Sequence, residues 1–534
     1  MSSKTDSDVQ FGTIRSSLWP IHSHELKKFL PMQIMLILIC FNYSILRNLK
    51  DSIVITGMGA EVIPFIKIWV LLPTAIILTV IFTTLANRFS QERVIYIMIS
   101  GFLGFYALFT FVLYPLRDVL HPHATALALE QMYPSWKWFI AICDNWVLTS
   151  FYVMSELWGT IILQVIFWGF ANEVTRMYEA RRFYSVFSIG SNLAAALAGL
   201  CAILFISSDD FFGMDPIGSQ ITEENQEAIW QHKLSWLMGL IIFCGIVTMA
   251  VFRWTTKNVL NDASFNDLRQ IKKEYKAKGK QSLRDSFSYL KNSKYLICIA
   301  IMVVSYNLTI NLVELVWKDQ LKQLYPYKAD YMTFMSYLTL SMGIVSTLTS
   351  FFMANIISRF GWTRTALITP VIMLITSAAF FSFLFFPALS PIVITLFGTT
   401  PLVIAAYIGF AQNCFSKAAK YSVFDATQNM SFIPLSHESK LKGKAAIDGV
   451  GSRLGKSGGS LIHTGLLMIF HNLSYSSPYV ASILLGVIVI WIFATKSLGK
   501  QFSELTAHQS EPQELPGSGE PGVRGQEKIA HNNA

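Results

Sequence analysis

The chain has 534 residues, of which 53% are hydrophobic, 14% aromatic and only 14% charged, against about 25% charged in an ordinary soluble protein. With 42 Lys and Arg against 33 Asp and Glu it is moderately basic, at +9. This excludes a soluble globular enzyme and points to an all-α, polytopic membrane protein whose first partner is the lipid bilayer; nothing in the charge pattern suggests nucleic acid.

Residues 1–28 mix Lys4, Asp6, Asp8, Arg15, Glu25, Lys27 and Lys28 without a short apolar core and small-residue cleavage site, so they read as a cytoplasmic N-terminal segment rather than a signal peptide. Apolar stretches long enough to span follow near 30–49, 62–86, 94–114, 137–170, 183–206 and 234–252. After a basic linker, 255–290, they resume near 294–317, 331–357, 365–386, 392–415 and 477–495. A polar, Gly-rich candidate lies at about 445–470, with six glycines between Gly443 and Gly459 alongside Asp448, Arg453 and Lys456. Counting it as a crossing lets the basic loops (Arg88 and Arg93; Arg176, Arg181 and Arg182; Lys257 to Lys294; Arg359 and Arg364; Lys417, Lys420, Lys440, Lys442 and Lys444) share one face, cytoplasmic by the positive-inside rule. The expected architecture is therefore about twelve helices in two six-helix bundles, 29–254 and 291–499, in a major-facilitator-like arrangement. Both termini lie inside, and a disordered tail, rich in Pro, Gly, Glu and Gln, covers 500–534. Short echoes support the repeat: Lys50-Asp51 ends the first span and Lys318-Asp319 the seventh.

Charge inside this apolar frame is the functional signal. Lys67, Glu156, Glu314 and Lys456 sit within spanning segments, where each costs roughly 2.5–3.5 kcal/mol on insertion scales. Two cations and two anions spread over four spans point to an aqueous site for a charged solute. Lys67 could instead snorkel to the headgroups, and Glu156 or Glu314 could simply glue helices through ion pairs. Arg47 and Lys50 share a helical face with Asp51, and Arg453 and Lys456, three apart, form a second cationic pair. Gly455-Lys456-Ser457 is not a phosphate-binding loop, because the required Gly six residues before the Lys is Val450. The six cysteines lie in or beside apolar runs without ligand spacing, so no metal, disulfide or cofactor is expected, and no nucleophile, metal or paired-acid constellation suggests an enzyme.

Several strings carry a resemblance. Asn42-Tyr43-Ser44-Ile45-Leu46-Arg47, Ile63-Pro64-Phe65-Ile66-Lys67-Ile68-Trp69, Phe151 through Gly159 around Glu156, Ile310-Asn311-Leu312-Val313-Glu314, Ala419 through Asp425, and Gly443 through Gly459 resemble, in order and from about residue 20 to 505, the ATP/ADP translocases of plastids and obligate intracellular bacteria. The resemblance implies a twelve-helix secondary transporter that is not an enzyme and has the nucleotide as its substrate. ATP/ADP antiport is expected first, and net or proton-coupled import of GTP, UTP or CTP is the alternative. It further implies that the essential lysines and glutamates fall on Lys67, Glu156, Glu314 and Lys456, with Arg47, Lys50, Arg453 and Asn311 in support. The two glutamates would pair with the two lysines when the site is empty. One departure stands out: Asp144 precedes Trp146 where the exchangers carry an Arg. A functional monomer in a bacterial inner membrane is expected.

Overall fold

The computed structural model describes residues 20–175, 177–207, 223–259, 293–385, 391, 394–395, 398–435, 443, 447 and 451–510. The linker at 255–290 and the tail therefore lie largely outside the described residues, as does Asp448. The described chain is helical almost throughout, as a bilayer demands: a backbone without water must satisfy its own hydrogen bonds.

Among the described residues ten helices are long and apolar enough to cross a membrane. They are α1 (Ser23–Met58), α2 (Val62–Arg88), α3 (Gln91–Leu113), α4 (Trp146–Val174), α5 (Arg182–Ile206), α6 (Gln226–Asn258), α7 (Lys294–Leu324), α8 (Lys328–Phe352), α9 (Arg359–Phe385) and α12 (Leu473–Thr506). Two more, numbered by chain position, are polar: α10, which starts as Pro401–Ala419 and continues to Ser431, and α11, Ser452–Phe470. At about 1.5 Å per residue, the 19 residues of α11 reach nearly 30 Å, enough to cross. Among the described residues there are thus twelve long helices.

Three boundaries differ from the sequence reading. The long fourth span is broken at Asn145 (φ −94, ψ 45) into a short helix Lys137–Asp144 and α4, so Asp144 ends a separate element. The tenth helix is displaced toward the C-terminus from 392–415, because its polar residues Gln412, Asn413, Ser416 and Lys417 are buried against protein and lower the apparent hydropathy of a true span. The last helix persists to Ser510, past the boundary drawn at 500, and Phe502 stacks on Trp362 at 5.1 Å.

Packing in each half of the chain centres on one helix. α1 lies against α4, α5 and α6, and α7 against α10, α11 and α12. The halves meet where α5 crosses α8, α2 meets α11, and α1 meets α7 and α8. The α5–α8 crossing is the tightest: a Cβ on Gly199 would sit 2.6 Å from the Leu340 nitrogen, and one on Gly343 would sit 2.5 Å from the Ala196 nitrogen. Small residues permit such approach where lipid supplies no hydrophobic drive. The α1–α7 contact and the first turns of α2 use the helix ends away from the basic loops, whereas the α5–α8 crossing extends to mid-helix, where Gly343 meets Asn192 and Ala196. The first turns of α2, Val62–Phe65, are buried against α11, whereas Leu72–Arg88, running to the basic face, has no buried residue. Among the described residues the halves are therefore closed at the face away from the basic loops, and along α2 they open toward those loops.

Candidate functional site

Local backbone features place the charges. On α2, Pro73 supplies no amide hydrogen to the turn before it, and just there the helix widens to π geometry over Ile66–Leu71, turning Lys67 toward the centre. On α4, Glu156 stands immediately before a π segment, Trp158–Phe167, in which Gly159 lets the Tyr43 ring approach; a Cβ there would meet that ring at 2.5 Å. α7 carries Asn307, Asn311, Glu314 and Lys318 at intervals of four, three and four, so all four occupy one face. Against that face lies α11, whose glycines act as flat contacts: a Cβ on Gly455 would strike the Asn307 Cβ at 2.7 Å, and one on Gly459 the Asn311 Cβ at 2.9 Å. This close seating leaves Arg453 and Lys456, on the flank of α11, exposed.

The carboxylates are joined into one chain of alternating charge. Glu156 Oε2 is 3.3 Å from Lys50 Nζ, which donates to Asp51 Oδ1 at 2.9 Å and lies 4.1 Å from the centre of the Tyr152 ring. Lys318 Nζ donates to Asp51 Oδ2 across the two halves at 2.7 Å and reaches Glu314 Oε1 at 3.0 Å. Lys417 Nζ closes the chain on Glu314 Oε1 at 3.1 Å. The sequence thus runs Glu156, Lys50, Asp51, Lys318, Glu314, Lys417 through α4, α1, α7 and α10. Asp51 is 1% exposed, which only its two lysines make tolerable. Glu156, at 31%, faces open space.

The expected pairing of Glu156 and Glu314 with Lys67 and Lys456 is replaced by this network. Lys67 Nζ donates to Asn311 Oδ1 at 3.3 Å, and among the described residues neither Lys67 nor Lys456 makes an ion pair. Both stay within electrostatic range of Glu156. Arg47 Nη2 donates to Thr339 Oγ1 of α8 at 3.4 Å, and Asn48 Nδ2 to the same hydroxyl at 3.0 Å. Asp144 lies apart from the network: its Oδ2 is 2.9 Å from His123 Nδ1, in the connection between α3 and α4. The sequence reading left out Lys318, although its place four residues after Glu314 is an ion-pair spacing, and assigned Lys417 to a basic loop, whereas its side chain is 11% exposed inside α10.

Chemically, six cations (Arg47, Lys50, Lys67, Lys318, Lys417 and Lys456) surround three carboxylates. The excess charge belongs to the groups without carboxylate partners, which suits a mobile polyanion rather than a covalent reaction.

Comparison with known proteins places this site in context. A family model described as TLC ATP/ADP transporter matches residues 4–502. "ADP,ATP carrier protein 1" of Chlamydia pneumoniae is 44% identical over 500 residues, covering 92% of this chain and 94% of that protein. The protein of the same name from Rickettsia bellii is 40% identical over 507 residues, covering 94% and 99%. Among solved structures, the inward open conformation of the xylose transporter XylE from E. coli aligns with a TM-score of 0.48 at 12% identity, covering 90% of this chain and 99% of that one.

Proposed function

The chain belongs to the TLC ATP/ADP transporter family, a family of carriers rather than enzymes, and on that premise we propose that it exchanges ATP for ADP across a bacterial inner membrane by alternating access. The observation that carries the reading is the division of labour among the charges of the site. Glu156, Asp51 and Glu314 are neutralised by Lys50, Lys318 and Lys417, while Lys67 and Lys456 have no carboxylate to leave. Two uncompensated ammonium groups are held ready for phosphates as mobile point charges, with Arg453 beside Lys456 adding a planar, bidentate donor set. Asn311, already bonded to Lys67, fixes that lysine and offers its amide to the same ligand.

Exchange follows from electrostatics. An empty site brings its excess of positive charge into a closing, drier interior, and the repulsion opposes reorientation; a nucleotide of three or four negative charges removes it. Only the loaded carrier then crosses. The basic loops mark the cytoplasmic face, both termini lie there, and the open side of the structure is the side from which ADP leaves or ATP is released. The site is built from one chain, so the unit is a monomer, and no cofactor takes part.

Uptake of labelled ATP by proteoliposomes loaded with ADP, with nothing, or with ADP plus a protonophore tests this. Uptake that needs internal ADP and ignores the protonophore is expected; uptake into empty vesicles that collapses with the proton gradient overturns exchange.

A further inference from the structure

The closed face holds a second charged cluster that the nucleotide site does not use. Glu227, near the start of α6, receives different partners on its two oxygens. Oε1 takes Arg117 Nη2 at 2.9 Å and the hydroxyl of Tyr114, also at 2.9 Å. Tyr114 is fully buried and is held in turn by Trp230 Nε1, which donates to its oxygen at 2.9 Å, and by Arg117, stacked 4.4 Å over its ring. These groups all come from the first half of the chain. Oε2 takes Lys328 Nζ at 2.7 Å, from the first turn of α8 in the other half, and the same ammonium donates to Tyr114 Oη at 3.2 Å. The Lys328 carbonyl accepts Ser52 Oγ of α1 at 2.6 Å, so backbone and side chain both cross between the halves.

Two features mark this as a device rather than a chance surface pair. A lysine in the first turn of a helix sits at the positive end of the helix dipole, where it is disfavoured unless a carboxylate receives it. The carboxylate is also prepared in advance, since Arg117, Tyr114 and Trp230 orient it whether or not Lys328 is present.

We propose that Lys328 is the plug, and Glu227 with Tyr114 and Arg117 the socket, of a gate closing the face opposite the basic loops; the proposal rests on reading the chain as an alternating-access carrier. Opening for an incoming nucleotide withdraws Lys328 with α8, while Arg117 stays and keeps Glu227 neutralised. The released ammonium then stands at the mouth of the entrance, where it attracts an anion. Lys328 is a positioning residue: it sets which face is open and touches no substrate in the closed form. Losing this one charge-assisted bond shifts the closed-to-open ratio by about ten- to a hundredfold.

The test is a distance measurement on the full chain in lipid nanodiscs, without nucleotide, with the native cysteines replaced. Spin labels on Val119→Cys and Tyr327→Cys, both at exposed positions, report the separation of the halves at this face. Lys328 should give one short distance, Lys328→Gln an added long component, and Lys328→Arg a return to the short one. Glu227→Gln, which weakens the socket, should also give the long component. Identical distance distributions in all four proteins overturn the gate, as does a long component that Lys328→Arg fails to suppress. The readout needs no transport, so failure of the exchange reading would appear in vesicle uptake and failure of the gate in the distances.

Discussion

Replacing Lys67 by Gln and Lys318 by Gln deletes the same charge from a half-buried and a neighbouring buried position, and the structure assigns opposite consequences. Lys67 bonds the neutral Asn311 and makes no ion pair among the described residues, so Gln leaves no carboxylate stranded and the fold is retained. What is lost is one charge-assisted bond to phosphate, about 1.5–3 kcal/mol, or roughly 10- to 150-fold in apparent affinity. Lys318 bridges Asp51 at 2.7 Å and Glu314 at 3.0 Å, and Asp51 is buried. Breaking a buried ion pair costs about 3–5 kcal/mol; because Asp51 keeps Lys50 and Glu314 keeps Lys417, the lower end, about 3 kcal/mol, is expected. The assay pairs initial rates of ATP uptake into ADP-loaded proteoliposomes, over a range of ATP concentrations, with thermal unfolding of the same preparations. Lys67→Gln should raise KM and melt like the parent, whereas Lys318→Gln should melt lower. A Lys67→Gln protein with unchanged KM, or one as destabilised as Lys318→Gln, would refute the division into free and structural lysines.

Three further outcomes follow from particular contacts. Glu314→Gln leaves Lys417 without its carboxylate, and uptake should fall to background while the amount of membrane-inserted protein is unchanged; loss of the inserted protein would mean that Glu314 only holds helices together. Gly199→Ala places a carbon 2.6 Å from the Leu340 nitrogen, a backbone atom of α8 that cannot rotate away, so the α5–α8 contact should lose about 1–3 kcal/mol, read as a lower melting temperature, whereas alanine at Gly239, where a Cβ meets nothing within 4 Å, should be tolerated. Asp144→Asn removes a carboxylate whose contact is the His123 ring at 2.9 Å rather than any member of the chain of lysines and carboxylates, so the order of preference among ATP, GTP, UTP and CTP in competition uptake should stay the same.

Much of this protein is legible along the chain because the bilayer imposes local rules. A spanning helix must be about 20 residues long and apolar, and a charge inside one must have a reason, so the spans and the four residues Lys67, Glu156, Glu314 and Lys456 stand out one at a time. The Gly-rich α11 is legible through the alternation of loop charge, although hydropathy alone does not reveal it. Partner choice is a different kind of quantity. Asp51 and Lys318 are 267 positions apart, and their meeting depends on the distance between α1 and α7, which no window along the sequence contains. The same holds for Lys417, whose polar surroundings on α10 read as a loop until the helix is seen facing protein, and for Lys328 and Glu227, which look like ordinary surface charges at two helix starts. Local composition determines that charges are buried; only the packing of the two halves decides which of them are spent on each other and which remain for a substrate, because an ion pair is made by separation in space and by shared exclusion of water.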